Sequence, residues 1–194
     1  MFLKEKENHR SPQLLEASRS VLLVIDIQEK FRKVVMGMEE VSLRSTLLVK
    51  AAAQLQVPVL VSEQYPQALG KTLTEIAAAF PKETPIASKL AFSALDCPEW
   101  ADSLRTHKRN QFVLCGVETH VCVLQTAMDI LQNLEGQVYI VEDAVASRKA
   151  SDRLAALRRL EAQGAQIITS EMVLFEWLRK AGTPDFKALQ PLVK

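Results

Sequence analysis

An α/β fold in three layers, with a six-stranded, mostly parallel sheet and helices on both faces, is what this sequence predicts. Two observations carry that expectation. Short apolar runs rich in β-branched residues alternate along the chain with stretches of helical spacing, the pattern of right-handed βαβ crossovers. The length of 194 residues, with 48% hydrophobic and 24% charged side chains, suits one domain with a full core. Residues 1–18 read as an N-terminal arm, mobile or an irregular cover, and 19–194 as the domain.

"SVLLVID" (20–26) has the length and branching of a buried strand, and "LRSTLLVKAAAQLQ" (43–56) has the periodicity of an amphipathic helix. "VPVLVS" (57–62) is the second strand, followed by an irregular segment and a short helix around "LTEIAAAF". "TPIASK" (84–89) is a weaker third strand, and "CPEWADSLRTH" (97–107) is a helix with Pro98 in its first turn. The fourth strand, "QFVLCGV" (111–117), leads into the helix "THVCVLQTAMDILQNL" (119–134), which Gly136 ends. "QVYIVED" (137–143) is the fifth strand, and "SDRLAALRRLEAQG" (151–164) is a helix with Ser151 as N-cap and Gly164 as stop. A sixth strand, "AQIITS", and the helix "EMVLFEWLRKAG" close the domain, leaving "TPDFKALQPLVK" as a tail.

Several function classes are disfavoured by composition. Lys plus Arg number 24 against 23 Asp plus Glu, without a long block of either sign, so no nucleic-acid footprint is expected. The cluster "LRTHKRN" (104–110) reads as a solvated helix end and loop. The start lacks the apolar core of a signal peptide and no run approaches a membrane span, so no membrane partner and a cytoplasmic location are expected. Cys97, Cys115 and Cys122, an odd count, fit a reducing compartment better than a disulfide framework. "LGKT" (69–72) mimics the end of a phosphate-binding loop, but Tyr65 stands where its first glycine belongs. With six glycines in all, a dinucleotide fingerprint is missing too, and no cofactor is expected. His9, His107 and His120 form no pair at ligand spacing, so no metal site is expected.

In an open parallel sheet, ligands bind at the carboxyl ends of the strands. Asp26 ends the first strand, Lys89 ends the third, and Cys122 lies just past the fourth. An acid, an amine and a thiol in that position are a candidate nucleophilic site, with Asp26 as general base and Lys89 compensating charge. A helix N-terminus and a cationic neighbour would lower the pKa of Cys122. Taken singly, each residue also has a bland reading: a small buried hydrophobe, a cap, a solvated amine. Cys115, inside a strand, reads as a buried hydrophobe.

The segments "VLLVIDIQEKF", "SKLAFSAL", "VLCGVETHVCVLQTAMDIL" and "VYIVEDAVASR" resemble the isochorismatase-like cysteine hydrolase superfamily. "VSEQYPQALGKTLTEI" and the "FKALQPLVK" tail resemble its isochorismatase domain-containing subgroup, and the likeness runs from about residue 19 to the C-terminus. The resemblance implies a Rossmann-like sheet and a triad of Asp26, Lys89 and Cys122 that cleaves amide or related C–N bonds through a thioester. It also implies a cis peptide at Val117–Glu118, with the backbone N–H groups of Glu118 and Cys122 as the oxyanion hole, and a homo-oligomer, for which "MVLFEWL" is one candidate interface. Relatives that hydrolyse a vinyl ether lack the cysteine, and metal-dependent nicotinamidases carry histidines that "VSEQYPQALGKT" does not have. Geometry and likeness together give a pocket for a small-molecule substrate walled by Gln28, Phe31, Tyr65, Phe92, Ser93 and His120. The competing expectation is an oligomeric binding or scaffold protein that keeps the triad with little turnover.

Overall fold

The computed structural model describes residues 10–193. Six strands, β1 (Ser20–Ile25), β2 (Val59–Gln64), β3 (Ile86–Lys89), β4 (Gln111–Val117), β5 (Gln137–Ala146) and β6 (Gln166–Ile168), form one sheet in the order β3, β2, β1, β4, β5, β6. Every neighbouring pair is parallel. The sheet is the predicted one, parallel throughout.

Because side chains alternate across a strand, β1 splits its apolar residues between two cores. Leu22 and Val24 pack with α1 (Met38–Gln54) and α7 (Ser170–Leu178), while Val21, Leu23 and Ile25 pack with α4 (Pro98–His107), α5 (Leu124–Asn133) and α6 (Ala150–Ala162). That division produces the three layers. Short helices α2 (Pro66–Leu69) and α3 (Thr74–Ala77) lie between β2 and β3, and α8 (Pro184–Leu189) follows α7. The strand order runs outward from the β1/β4 pair in both directions, so the topological switch point lies between the ends of those strands.

Several boundaries depart from the pattern-based reading for identifiable reasons. Helix α1 starts at Met38 rather than residue 43, because Gly37 in a left-handed conformation (φ 76°) turns the chain into it. Strand β5 runs on to Ala146, beyond the predicted end at 143. Leu114 pairs with Ile140 but Gly116 with Val145, so β5 carries a bulge after which pairing resumes. Within the bulge Asp143 turns to α7, accepting hydrogen bonds from Ser170 N–H (2.7 Å) and Ser170 Oγ (2.6 Å). Ser151 is not an N-cap: α6 begins at Ala150, Lys149 holds the cap position, and Asp152 supplies a first-turn carboxylate.

The segment read only as a short C-terminal tail contains helix α8. Thr183 accepts from Phe186 N–H, Pro184 occupies the first turn, and Leu189 is buried in the α1-side core. From residue 10 onward the N-terminal arm is a fitted cover. Leu15 is buried, its N–H donates to Glu176 Oε2 (2.7 Å), and Arg10 donates to the carbonyls of Leu15 and Glu176. The first nine residues of the arm, His9 among them, lie outside the described residues.

Candidate active site

Asp26 leaves β1 at the switch point with φ 52°, a left-handed conformation that aspartate tolerates better than most residues. Its backbone N–H donates to Ser62 O (3.1 Å) and its carbonyl accepts from Gln28 N–H (2.9 Å), so the bend is held on both sides. The side chain is fully buried, and Ser62 Oγ donates to Oδ1 at 2.7 Å. The other oxygen, Oδ2, stands 2.7 Å from Lys89 Nζ. That approach is an ion contact rather than an aligned hydrogen bond, which leaves lone-pair directions on Oδ2 for a further donor.

Lys89 is the last residue of β3 and alternation points it inward, with Ile86 and Ser88 outward. Its ammonium faces Gln64 Oε1 (2.7 Å), Phe92 O (3.0 Å) and Ala91 O (3.2 Å) in addition to Asp26. A buried ammonium requires such compensation.

Strand β4 can approach β1 at the switch point because residue 116 is glycine. A Cβ there would lie 2.0 Å from Ile25 O. The peptide bond Val117–Glu118 is cis, and the chain then makes one wide π-helical turn, Thr119–Val123, before α5. Cys122 lies in that turn, 5% exposed, near enough to Asp26 and Lys89 for both charges to act on its thiol. The three residues that leave different strand ends therefore meet.

The expectation of a depressed thiol pKa is corrected. Burial pushes the Cys122 thiol up to about 12; the Asp26 charge adds to the rise and Lys89 opposes it. At neutral pH the resting site holds a protonated thiol. Cys115, inside β4, is likewise pushed up to about 12 by complete burial and lies on the other face of the sheet.

The candidate wall residues divide into three groups. Tyr65 and Phe92 are about half exposed beside the triad, with Tyr65 N–H donating to Lys89 O (2.9 Å). Ser93 is buried and accepts from Leu95 N–H, while His120, in the Cys122 turn, contacts Ser147 Oγ through Nδ1 (3.0 Å) with Nε2 3.8 Å from Asp152. Gln28 and Phe31 are directed elsewhere. The Gln28 amide donates to Gln64 O (3.0 Å) and Gly70 O (2.6 Å) and accepts from Gln64 N–H (2.8 Å), and Phe31 packs on the α1-side core.

Three supporting residues escaped the reading of the sequence. Ser62 and Gln64 touch the triad directly, and their position at the end of β2 was the available signal, since the strand-end rule applies there as well. Arg148 donates to the Glu118 carboxylate through its backbone N–H (2.8 Å) and Nε (3.0 and 3.1 Å), fixing the residue that follows the cis bond. Nothing local in the sequence signals that pairing.

A cavity of about 890 Å³ lies between the N-terminal arm and α7, lined in part by Arg10, Leu14, Met172 and Phe175. It holds no cysteine and none of Asp26, Lys89 and Cys122 lines it. Among the described residues, no group of three or more His, Cys, Asp or Glu side chains is arranged to hold a metal ion, and no helix is long and apolar enough to cross a membrane.

Residues 20–172 match the model of the isochorismatase domain. The chain is 43% identical over 175 residues to isochorismatase domain-containing protein 2 of Bos taurus, covering 90% of this chain and 83% of that protein. It is 39% identical over 179 residues to the secreted isochorismatase effector Isc1 of Phytophthora sojae, covering 90% and 84%. Among solved structures, it is similar to one described as the MAR1 ribonuclease from Caenorhabditis elegans, with a TM-score of 0.88 and 37% identity over 93% of this chain and 92% of that one.

Proposed function

The chain belongs to the isochorismatase family of hydrolases, and from that premise we propose that it is a metal-independent cysteine hydrolase that cleaves a small amide or related C–N bond. The observation that carries the reading is the convergence of Asp26, Lys89 and Cys122, with the Asp26–Lys89 ion pair closed at 2.7 Å and both charges acting on the thiol. An acid and a base-compensated nucleophile buried together at a switch point suit acyl transfer.

In this mechanism the Cys122 proton passes to Asp26 as Sγ attacks the substrate carbonyl. A thiol held near 12 reacts only if its proton is removed during attack, and Asp26 is the carboxylate whose charge acts on it. The backbone N–H groups of Glu118 and Cys122 receive the oxyanion. Asp26 then delivers the proton to the departing nitrogen, the C–N bond breaks and the acyl group stays on sulfur as a thioester. Water, deprotonated by Asp26, adds to the thioester carbon; the C–S bond breaks, the acid leaves and the thiol regains its proton. Lys89 keeps the carboxylate charge compensated throughout.

The neighbour described as a ribonuclease motivates RNA as a comparison substrate. A phosphodiester would need a cation turned toward phosphate, and the Lys89 ammonium is already surrounded by four oxygens. The second reading, a homo-oligomeric binding or scaffold protein, is favoured by one observation: Cys122 is only 5% exposed. The deciding experiment screens primary and secondary amides and single-stranded RNA with wild type and Cys122→Ala, following acyl-enzyme by intact mass. Amide turnover with a transient mass adduct on Cys122, both absent in Cys122→Ala, is expected. Turnover that survives in that variant sinks the mechanism, and no turnover by a properly folded wild type favours the scaffold.

A further inference from the structure

The segments that leave β2 and β3 beside the triad carry three exposed side chains: Leu90 is 75% exposed, Phe92 52% and Tyr65 50%. Apolar groups left this exposed on the segments that flank a buried reactive centre are available to a partner. They are not on loose loops. The segment after Lys89 wraps its ammonium, with Ala91 and Phe92 carbonyls accepting from Nζ, and Gln64 Nε2 donates to Leu90 O (2.8 Å). Tyr65 is tied to the same residue through its N–H bond to Lys89 O. The lip is thus fixed to the triad by the hydrogen bonds that hold Lys89.

Charge at this mouth is already satisfied from within. The Lys89 ammonium has three N–H donors and four oxygens around it, so none is left for a substrate anion. Glu63, which precedes Gln64, is taken up by Lys71 Nζ and by the N–H and Oγ of Thr72, and Glu118 on the opposite flank is taken up by Arg148. The run "LAFSAL" that follows Lys89 has no charged residue.

Resting on the hydrolase reading, we propose that this site selects substrates whose acyl group is uncharged and apolar, received by the side chains of Tyr65, Leu90 and Phe92. An anionic acyl group would lose its hydration and find no cation in return. A hydrocarbon or aromatic group covers the lip and gains from it.

The test uses three alkylating agents that differ in charge and apolar area: iodoacetate, iodoacetamide and N-benzyliodoacetamide. Rates at Cys122 are measured by peptide mass spectrometry and divided by the rates for glutathione, so that intrinsic reactivity cancels. The expected order is N-benzyliodoacetamide fastest and iodoacetate slowest, with the benzyl preference about tenfold, as burial of a ring predicts. Leu90→Ala with Phe92→Ala removes that preference, with the oligomeric mass by light scattering unchanged. Equal normalised rates, or no alkylation of Cys122 by any reagent, overturn the proposal. Faster reaction with iodoacetate, abolished by Arg148→Gln, overturns it in favour of an anion site. A drop in oligomeric mass in the double variant with selectivity intact shows instead that a second copy of the chain covers the lip. Selective alkylation without turnover of any amide would fail the hydrolase reading alone, and amide turnover without selectivity would fail the apolar lip alone.

Discussion

At the scale of the residue, the informative quantity is the thiol of Cys122, raised rather than lowered. Burial is the largest cause, the Asp26 carboxylate adds to it and the Lys89 ammonium subtracts. The two charged partners therefore act on the thiol in opposite directions, and substitution can separate them. Asp26→Asn removes a negative neighbour, so alkylation of Cys122 by iodoacetamide should begin at lower pH than in wild type. Turnover should fall about 100-fold or more all the same, because the base is gone. Lys89→Met should move the alkylation onset the other way, to higher pH. A shift of the same sign in both variants would contradict the arrangement. Asp26, Lys89 and Cys122 were all legible in the sequence as polar residues at strand ends. Their mutual placement was not, because 96 positions separate the first from the last, and the β2–β3, β1–β2 and β1–β4 pairings together bring them to one place.

At the scale of the element, the site depends on two close approaches. Gly116 lets β4 pair with β1 beside Asp26, with φ 128° and no room for a Cβ against the Ile25 carbonyl. Gly116→Ala should cost about 4 kcal/mol or more, as steric strain at a special backbone position does, measured by urea denaturation. The second approach is the Gln28 clamp, which ties the end of β2 and Gly70 to the segment after β1. Gln28→Met keeps the volume but leaves buried polar groups unmatched, an expected loss of about 2–4 kcal/mol. Amide exchange at Gln64 should speed up in the same variant; unchanged exchange there would show that the clamp holds nothing. The strands and most helices were legible because hydrophobic period and length depend only on local chain geometry. The bulge in β5 and the helix at Pro184–Leu189 were missed for opposite reasons. A bulge is defined by the partner strand, and a six-residue helix is too short to display a period.

At the scale of the whole molecule, the buried thiols make alkaline stability a property of the fold. Cys115 and Cys122 each hold their proton to about pH 12 in the folded chain, whereas an unfolded thiol loses it near the ordinary value of 9.0. Between those values the folded state binds more protons than the unfolded state, so stability falls as pH rises. Cys115→Ala removes one of these contributions, and its urea midpoint should fall less than that of wild type between neutral pH and about pH 10.5. Parallel curves for the two proteins would refute the assignment. By itself the sequence determined the α/β class, the six strands, the candidate acid, amine and thiol, and the resemblance that places the chain in its family, because each is written in local pattern or in motif. Tertiary structure alone decided the strand order and the side of the sheet each core occupies. It also decided that the thiol is buried and protonated under the influence of two charges, and that Tyr65, Leu90 and Phe92 on the flanking segments are left exposed. Those features depend on burial and on which distant segments pack together, and a one-dimensional pattern carries neither.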